Sequence, residues 1–254
     1  MIDTHCHLCD KRFDKDRQQV FDRAHHVGVT HMVEIAYEPE IWAKGFALAA
    51  EHPNVFLAVG VHPNSAGKVG LEHLPELRDH ARHPRVVAIG EIGLDTFRDY
   101  APMPAQEEWF RVQLALANEV GLPVVIHQRS EFERTMAMLE DAKVEAGGVL
   151  HCFDDGVAAM ERARALGFKL GLGGVLTYDR PELHEAVRQA PEDMLVLETD
   201  APYLEPEPRS LRRNEPSLLT RVIARLCELR GWEPKQAVDI TRRNARELFR
   251  LPIA

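Results

Sequence analysis

Eight short apolar runs alternate with segments of helical periodicity, and this pattern constrains the fold more than any other feature of the chain. The runs cover residues 1–7, 30–36, 55–60, 86–91, 123–127, 148–151, 167–172 and 194–198. Continuous apolar runs of this length suit parallel strands buried on both faces. Between them, residues 14–26, 39–52, 105–120, 131–142, 157–166 and 183–190 carry apolar residues at helical spacing. In the third of these segments they are Trp109, Phe110, Val112, Leu114 and Leu116. Proline and glycine mark the joints, as in Gly121-Leu122-Pro123 and Ala190-Pro191. Residues 216–229 and 234–249 read as two closing helices, each opened by a proline. Eight β-α units predict an α/β fold, a TIM-type (β/α)8 barrel. The rival, a doubly wound sheet, usually shows a glycine-rich phosphate loop after its first strand. Here the first run ends in histidines. With no repeat, low-complexity tract or linker, residues 1–254 are expected to form one domain.

Barrels of this kind carry their chemistry at the C-terminal ends of the strands. Run one ends in Asp3-Thr4-His5-Cys6-His7. Side chains two apart on a strand point the same way, so His5 and His7 can share one ion. Run four ends in Glu91, run five in His127 and run six in His151, and run eight is followed by Asp200. Taken singly, a histidine there is ordinarily a turn or core residue, and a carboxylate is often a helix cap. Four histidines and two carboxylates at one barrel mouth are too many for a single tetrahedral site with an open position. They suit two ions sharing a carboxylate. The expected assignment is His5, His7 and Asp200 on one ion, His127 and His151 on the other, and Glu91 bridging. His62, after run three in Gly60-Val61-His62-Pro63, is expected at the same mouth as a substrate contact. The remaining histidines read as surface or packing residues.

Charge and composition narrow the partners. A formal net charge of −9 disfavours broad polyanion binding over the whole surface and leaves local phosphate binding open. In that acidic setting residues 209–214 form a small basic loop after run eight. Arg129, Arg213 and the adjoining Asn214 are candidate substrate contacts, since a guanidinium can make two parallel hydrogen bonds to phosphate. No stretch approaches the roughly 18 apolar residues of a membrane span. The chain starts directly in a candidate strand, with no room for a signal peptide. Four cysteines argue against a disulfide framework. A cytoplasmic protein with no membrane association and no obligate protein partner is expected.

Several longer strings resemble the TatD family of metal-dependent deoxyribonucleases. They are Asp3-x-His5-x-His7, Gly60-Val61-His62-Pro63, Gly90-Glu91-Ile92-Gly93-Leu94-Asp95, His127, His151-Cys152-Phe153 and Glu198-Thr199-Asp200-Ala201-Pro202-Tyr203-Leu204. Arg213-Asn214-Glu215-Pro216 and the closing Asn244-Ala245-Arg246-Glu247-Leu248-Phe249 extend the likeness to the end of the chain. The resemblance implies an amidohydrolase-like barrel, a two-metal centre on the same six ligands, and 3′-to-5′ cleavage of DNA, preferentially single-stranded or at 3′ ends. It also implies magnesium as the ion in use; a histidine–carboxylate set admits zinc or manganese as well. Gln128, Ser130, Asp154, Asp155 and Thr96 depart from the family's usual residues, and none is an expected ligand.

The mechanism expected from this set is metal-assisted phosphodiester hydrolysis, with Asp200 as general base and Glu91 as the shared carboxylate on which activity depends. One alternative is hydrolysis of a small ester, an amide or aminoacyl-tRNA on the same barrel. Related barrels often bridge their ions with a carbamylated lysine, and Glu91 in that place favours the nuclease branch. A non-catalytic scaffold is a further alternative; it would be expected to lack a ligand, and none is missing.

Overall fold

All eight apolar runs become strands in the computed structural model, which describes residues 1–209 and 213–252. They are β1 (Ile2–Cys6), β2 (His31–Ala36), β3 (Val55–Val59), β4 (Val86–Asp95), β5 (Val124–Arg129), β6 (Gly148–Leu150), β7 (Phe168–Leu172) and β8 (Leu195–Leu197). They form one parallel sheet in the sequential order β1 to β8. The helices among the described residues are α1 (Arg17–His26), α2 (Pro39–Glu51), α3 (Leu74–Ala81), α4 (Met103–Val120), α5 (Phe132–Ala142), α6 (Val157–Ala165), α7 (Pro181–Gln189), α8 (Leu219–Arg230) and α9 (Pro234–Phe249). The fold is a (β/α)8 barrel, as the alternation predicts.

Two compact units make up the chain, Met1–Glu34 with Cys152–Ala254, and Ile35–His151. In the first, β1 is buried throughout and is tied to the segment around β8. Thr4 Oγ1 donates to the Leu197 carbonyl at 3.0 Å, and the Asp200 and His7 amides donate to the His5 and Ala201 carbonyls at 2.9 and 2.7 Å. The amphipathic α9 buries Ala237, Ile240, Thr241, Asn244, Ala245, Leu248 and Phe249 at three- and four-residue spacing. Burial stabilises the large apolar members of that stripe by roughly 1.5–3 kcal/mol each. Asn244 Nδ2 donates to the carbonyls of Glu192 and Leu195, fixing the approach to β8.

In the second unit, α4 holds the ends of two strands with buried glutamines. Gln113 accepts the Val61 amide and donates to the Val61 carbonyl; Gln106 does the same for Asp95. Buried backbone groups must be paired, and these carboxamides pair them where strand hydrogen bonding runs out. The sequence reading took only the apolar residues of α4 for its buried face.

The structure corrects two boundaries and adds an element. β4 continues four residues past Glu91 to Asp95, so Glu91 lies inside the strand and not at its end. The first turn of the helix expected over 216–229 is a short 3-10 turn at Pro216–Leu218. α3 is short and polar, burying Leu77 and Ala81, and gave no periodic signal.

Candidate metal centre

Backbone irregularities set the ligands. β1 pairs with β2 through Asp3↔Met32 and Cys6↔Glu34, a register shift that spans His5. β4 pairs with β5 through Gly90↔Val125 and Ile92↔Ile126, so Glu91 is the extra residue of a bulge. Bulges re-aim a side chain and recur beside active sites. The glycines flanking Glu91 are sterically required. A Cβ on Gly93, whose φ is +142°, would lie 1.9 Å from the His127 carbonyl oxygen; one on Gly90 would lie 2.6 Å from Val125 Cβ. Close approach of β4 to β5 brings Glu91 to His127.

In the first unit, His5, His7 and Asp200 converge. His5 Nε2 and His7 Nε2 are 3.3 Å apart, and Asp200 Oδ1 lies 3.2 Å from His7 Nε2 and 3.6 Å from His5 Nε2. All three residues are buried. Ligands at ~2.0–2.1 Å from one small divalent ion stand about 2.9 Å apart in an octahedron and about 3.4 Å apart in a tetrahedron. The observed triangle matches these edges, and two imidazoles with a carboxylate are a suitable donor set, so the residues fit a divalent ion.

Asp200 is presented from a strained turn. Its φ is +57°, a left-handed conformation that costs a non-glycine residue roughly 1–2 kcal/mol. Surrounding hydrogen bonds offset that cost. Asp3, fully buried, accepts the Thr199 amide at 3.0 Å, the Thr199 hydroxyl at 2.6 Å and the His5 amide at 3.3 Å. Glu34, also fully buried, accepts the Leu8 and Cys9 amides and so fixes the chain just after His7. Burial pushes both carboxyls up to about 7, against hydrogen bonds that pull them down. Glu198 accepts the Cys152 amide at 2.6 Å. Sequence reasoning missed the positioning roles of Asp3 and Glu34. The available signal was a lone carboxylate inside an otherwise apolar run.

In the second unit, Glu91 is surrounded by imidazoles. Its Oε1 lies 2.7 Å from His127 Nδ1, 3.4 Å from His62 Nε2 and 3.6 Å from His151 Nε2. His127 Nε2 meets Asp95 Oδ2 at 3.1 Å, and Asn64 Nδ2 donates to the same oxygen at 3.2 Å. A histidine ligand held at its second nitrogen by a carboxylate is the usual arrangement around a metal. Burial opposes ionisation of Asp95, but the hydrogen bond from His127 and its charge outweigh it and hold the carboxyl at about 2. The same contacts outweigh burial at His127 and raise its basicity. The set in this unit whose donor atoms lie close enough to hold a second ion is His62, Glu91 and His127; His151, expected beside His127, reaches Glu91 at 3.6 Å. His62 differs. Its Nδ1 accepts the Asn64 amide at 3.0 Å, as the cap of the turn Pro63–Ser65.

The remaining expected contacts divide. Arg129 is exposed at the end of β5, its guanidinium stacked 3.7 Å over the Phe97 ring. Arg213 is committed elsewhere, donating to both carboxylate oxygens of Asp16 at 2.8 and 2.7 Å and lying over the Phe13 ring. Asn214 is fully buried, and its Nδ2 donates to the carbonyls of Thr199 and Tyr203, both at 2.7 Å. It braces the turn that carries Asp200 and does not face solvent. Residues 210–212 of the expected basic loop lie outside the described residues. Asp154, a departure from the family pattern, pairs with Arg180 at 3.2 Å.

Comparison with known proteins shows the family. The profile of a family described as TatD related DNase matches residues 2–250. A Bacillus subtilis protein described as an uncharacterized metal-dependent hydrolase, YabD, is 35% identical over 253 residues, covering 99% of each chain. The 3′-5′ ssDNA/RNA exonuclease TatD of a Rahnella species is 38% identical over 260 residues, covering 99% of this chain and 98% of the relative. Among solved structures, the TatD homolog YJJV of Escherichia coli K12 superposes with a TM-score of 0.93 at 34% identity, covering 99% of this chain and 98% of that one.

Proposed function

The chain belongs to the TatD-related DNase family and is a metal-dependent hydrolase, and from that premise we propose that it is a 3′-to-5′ exonuclease acting on single-stranded DNA. The observation that carries this reading is the buried triangle of His5, His7 and Asp200, whose 3.2–3.6 Å edges suit one divalent ion. Glu91 with His127 and His151 is taken to hold a second. Magnesium is proposed as the ion in use, with zinc or manganese also suited to the donors. Bound divalent ions supply charge that polarises a phosphoryl oxygen and eases deprotonation of water.

The side chains then divide the work. Asp200 takes the proton of the attacking water as general base. Asp3 and Asn214 hold the turn that aims it. Asp95 fixes the orientation of His127. His62 presents its Nε2 proton toward the oxygens gathered at Glu91, where a substrate phosphoryl oxygen would be received. Arg129 offers a guanidinium to a phosphate. Arg213, expected in that role, is assigned to holding its own loop against Asp16.

Glu91 was expected from the sequence to serve both ions. A Glu91→Ala variant tests this by metal content: loss of two ions supports it, and loss of one confines Glu91 to the group around His127. The activity itself is tested by incubating purified protein with 5′-labelled single-stranded DNA. Stepwise release of nucleotides with added divalent ion, stopped by chelator, is expected. Turnover of a small ester with no cleavage of DNA or RNA would replace this reading with the small-substrate alternative.

We also take residues 1–254 to be one domain, supported by the way β2 begins in one compact unit and ends in the other. A single calorimetric transition is the expected result. No helix among the described residues is long and apolar enough to cross a membrane. The cytoplasm is the proposed compartment, and four cysteines outside any disulfide suit its reducing conditions.

A further inference from the structure

The large apolar side chains exposed among the described residues are Phe97, Tyr100, Tyr203 and Leu204, and the two most exposed, Phe97 (56%) and Tyr100 (59%), lie together between β4 and α4. Guanidinium groups flank them. Arg129 stacks 3.7 Å over the Phe97 ring, and Arg98 lies 5.3 Å from the centre of Phe97 and 6.0 Å from that of Tyr100. No carboxylate among the described residues forms an ion pair with either arginine. Glu131, just after β5, accepts the Thr96 hydroxyl, and Asp99 is exposed.

The segment is anchored to the candidate site. The Thr96 amide donates to the Arg129 carbonyl, and the Arg98 amide donates to Asp95 Oδ1, on the carboxylate that receives His127 Nε2. Phe97 therefore stands two residues from a carboxylate that orients a candidate ligand. Ring faces bordered by two cations, in a protein of net charge −9, suit a ligand that is flat and anionic. Nucleotides of a single strand have both properties, since their base faces are open and their backbone is charged. Bases within a duplex have their faces covered by neighbours.

We propose that Phe97 and Tyr100 form a base-stacking platform for a single-stranded polynucleotide, with Arg98 and Arg129 meeting its phosphates. The proposal rests on the nuclease reading and adds to it the element that selects unstacked strands.

The test compares two oligonucleotides of equal length, one normal and one with abasic 3′-terminal residues, on the wild-type protein and on Phe97→Ala, Phe97→Leu and Phe97→Trp. Wild type is expected to show a KM about tenfold lower for the normal strand, in line with typical stacking contributions. Phe97→Ala and Phe97→Leu should raise that KM about tenfold and abolish the preference, and Phe97→Trp should keep it. A merely structural role would make leucine as good as tryptophan and would overturn the platform. Equal KM values for both strands on wild type would also overturn it while leaving the nuclease reading intact. Cleavage of neither strand would end both.

Discussion

The backbone amide of Asn64 donates to Nδ1 of His62 at 3.0 Å, and this contact decides where the imidazole carries its proton. Nδ1 must present a lone pair to accept that hydrogen, so a neutral His62 bears its proton on Nε2. Nε2 faces Glu91 Oε1 at 3.4 Å. In that tautomer His62 donates toward Glu91 and does not ligate an ion, although His62, Glu91 and His127 stand close enough to share one. A His62→Ala variant should keep the full metal content of the wild type and lose roughly 10–100-fold in kcat/KM, the loss typical of a hydrogen bond to a charged group. Elemental analysis showing a missing ion would reverse this assignment.

Two glycines separate steric exclusion from conformational preference. Gly93→Ala would drive a Cβ into the His127 carbonyl oxygen at 1.9 Å, whereas Gly121, with φ +67°, has nothing within 4 Å of that position. Gly121→Ala should cost about 1 kcal/mol in urea unfolding, the left-handed preference alone. Gly93→Ala should cost several times more, roughly 3–5 kcal/mol, and should lower metal content as His127 is pushed from Glu91.

Asn214 is a donor that aspartate cannot replace. Asn214→Ala and Asn214→Asp both leave the Thr199 and Tyr203 carbonyls without the amide they accept, at a cost of about 1–3 kcal/mol for each buried acceptor. Both variants should lose hydrolytic activity, because the turn holding Asp200 relaxes. Wild-type turnover by Asn214→Asp would show that the brace does not act through the hydrogen bond.

Acid stability follows from Asp16. Hydrogen bonds from Arg213, then Arg23, lower its carboxyl from 3.8 to about 2. A depressed carboxyl contributes stability that is present above its unfolded pKa and lost as pH falls through the folded one. Chelator-treated wild type should have a higher urea midpoint than Asp16→Asn at pH 6, and the gap should close between pH 4 and pH 2. A gap that persists at pH 2 would assign the stabilisation to shape and not to charge.

Much of this was legible because ligands and strands obey local rules. The apolar runs located every strand, and the residue types at their ends named the histidines and carboxylates that cluster. What escaped depends on neighbours distant in sequence. The bulge at Glu91 exists only against β5, and the continuation of β4 to Asp95 follows from the same pairing. Gln106 and Gln113 give no signal in the apolar periodicity of their helix, yet each pairs a buried backbone group. Arg213 reads as a free cation until Asp16, 197 positions away, is placed beside it.

Thr199 meets Asp3 across 196 positions of sequence. His5 and His7 are synthesised well before the acid that completes their triangle, Asp200, and the amide that braces it, Asn214. A translation product stalled between them therefore carries two imidazoles without their carboxylate.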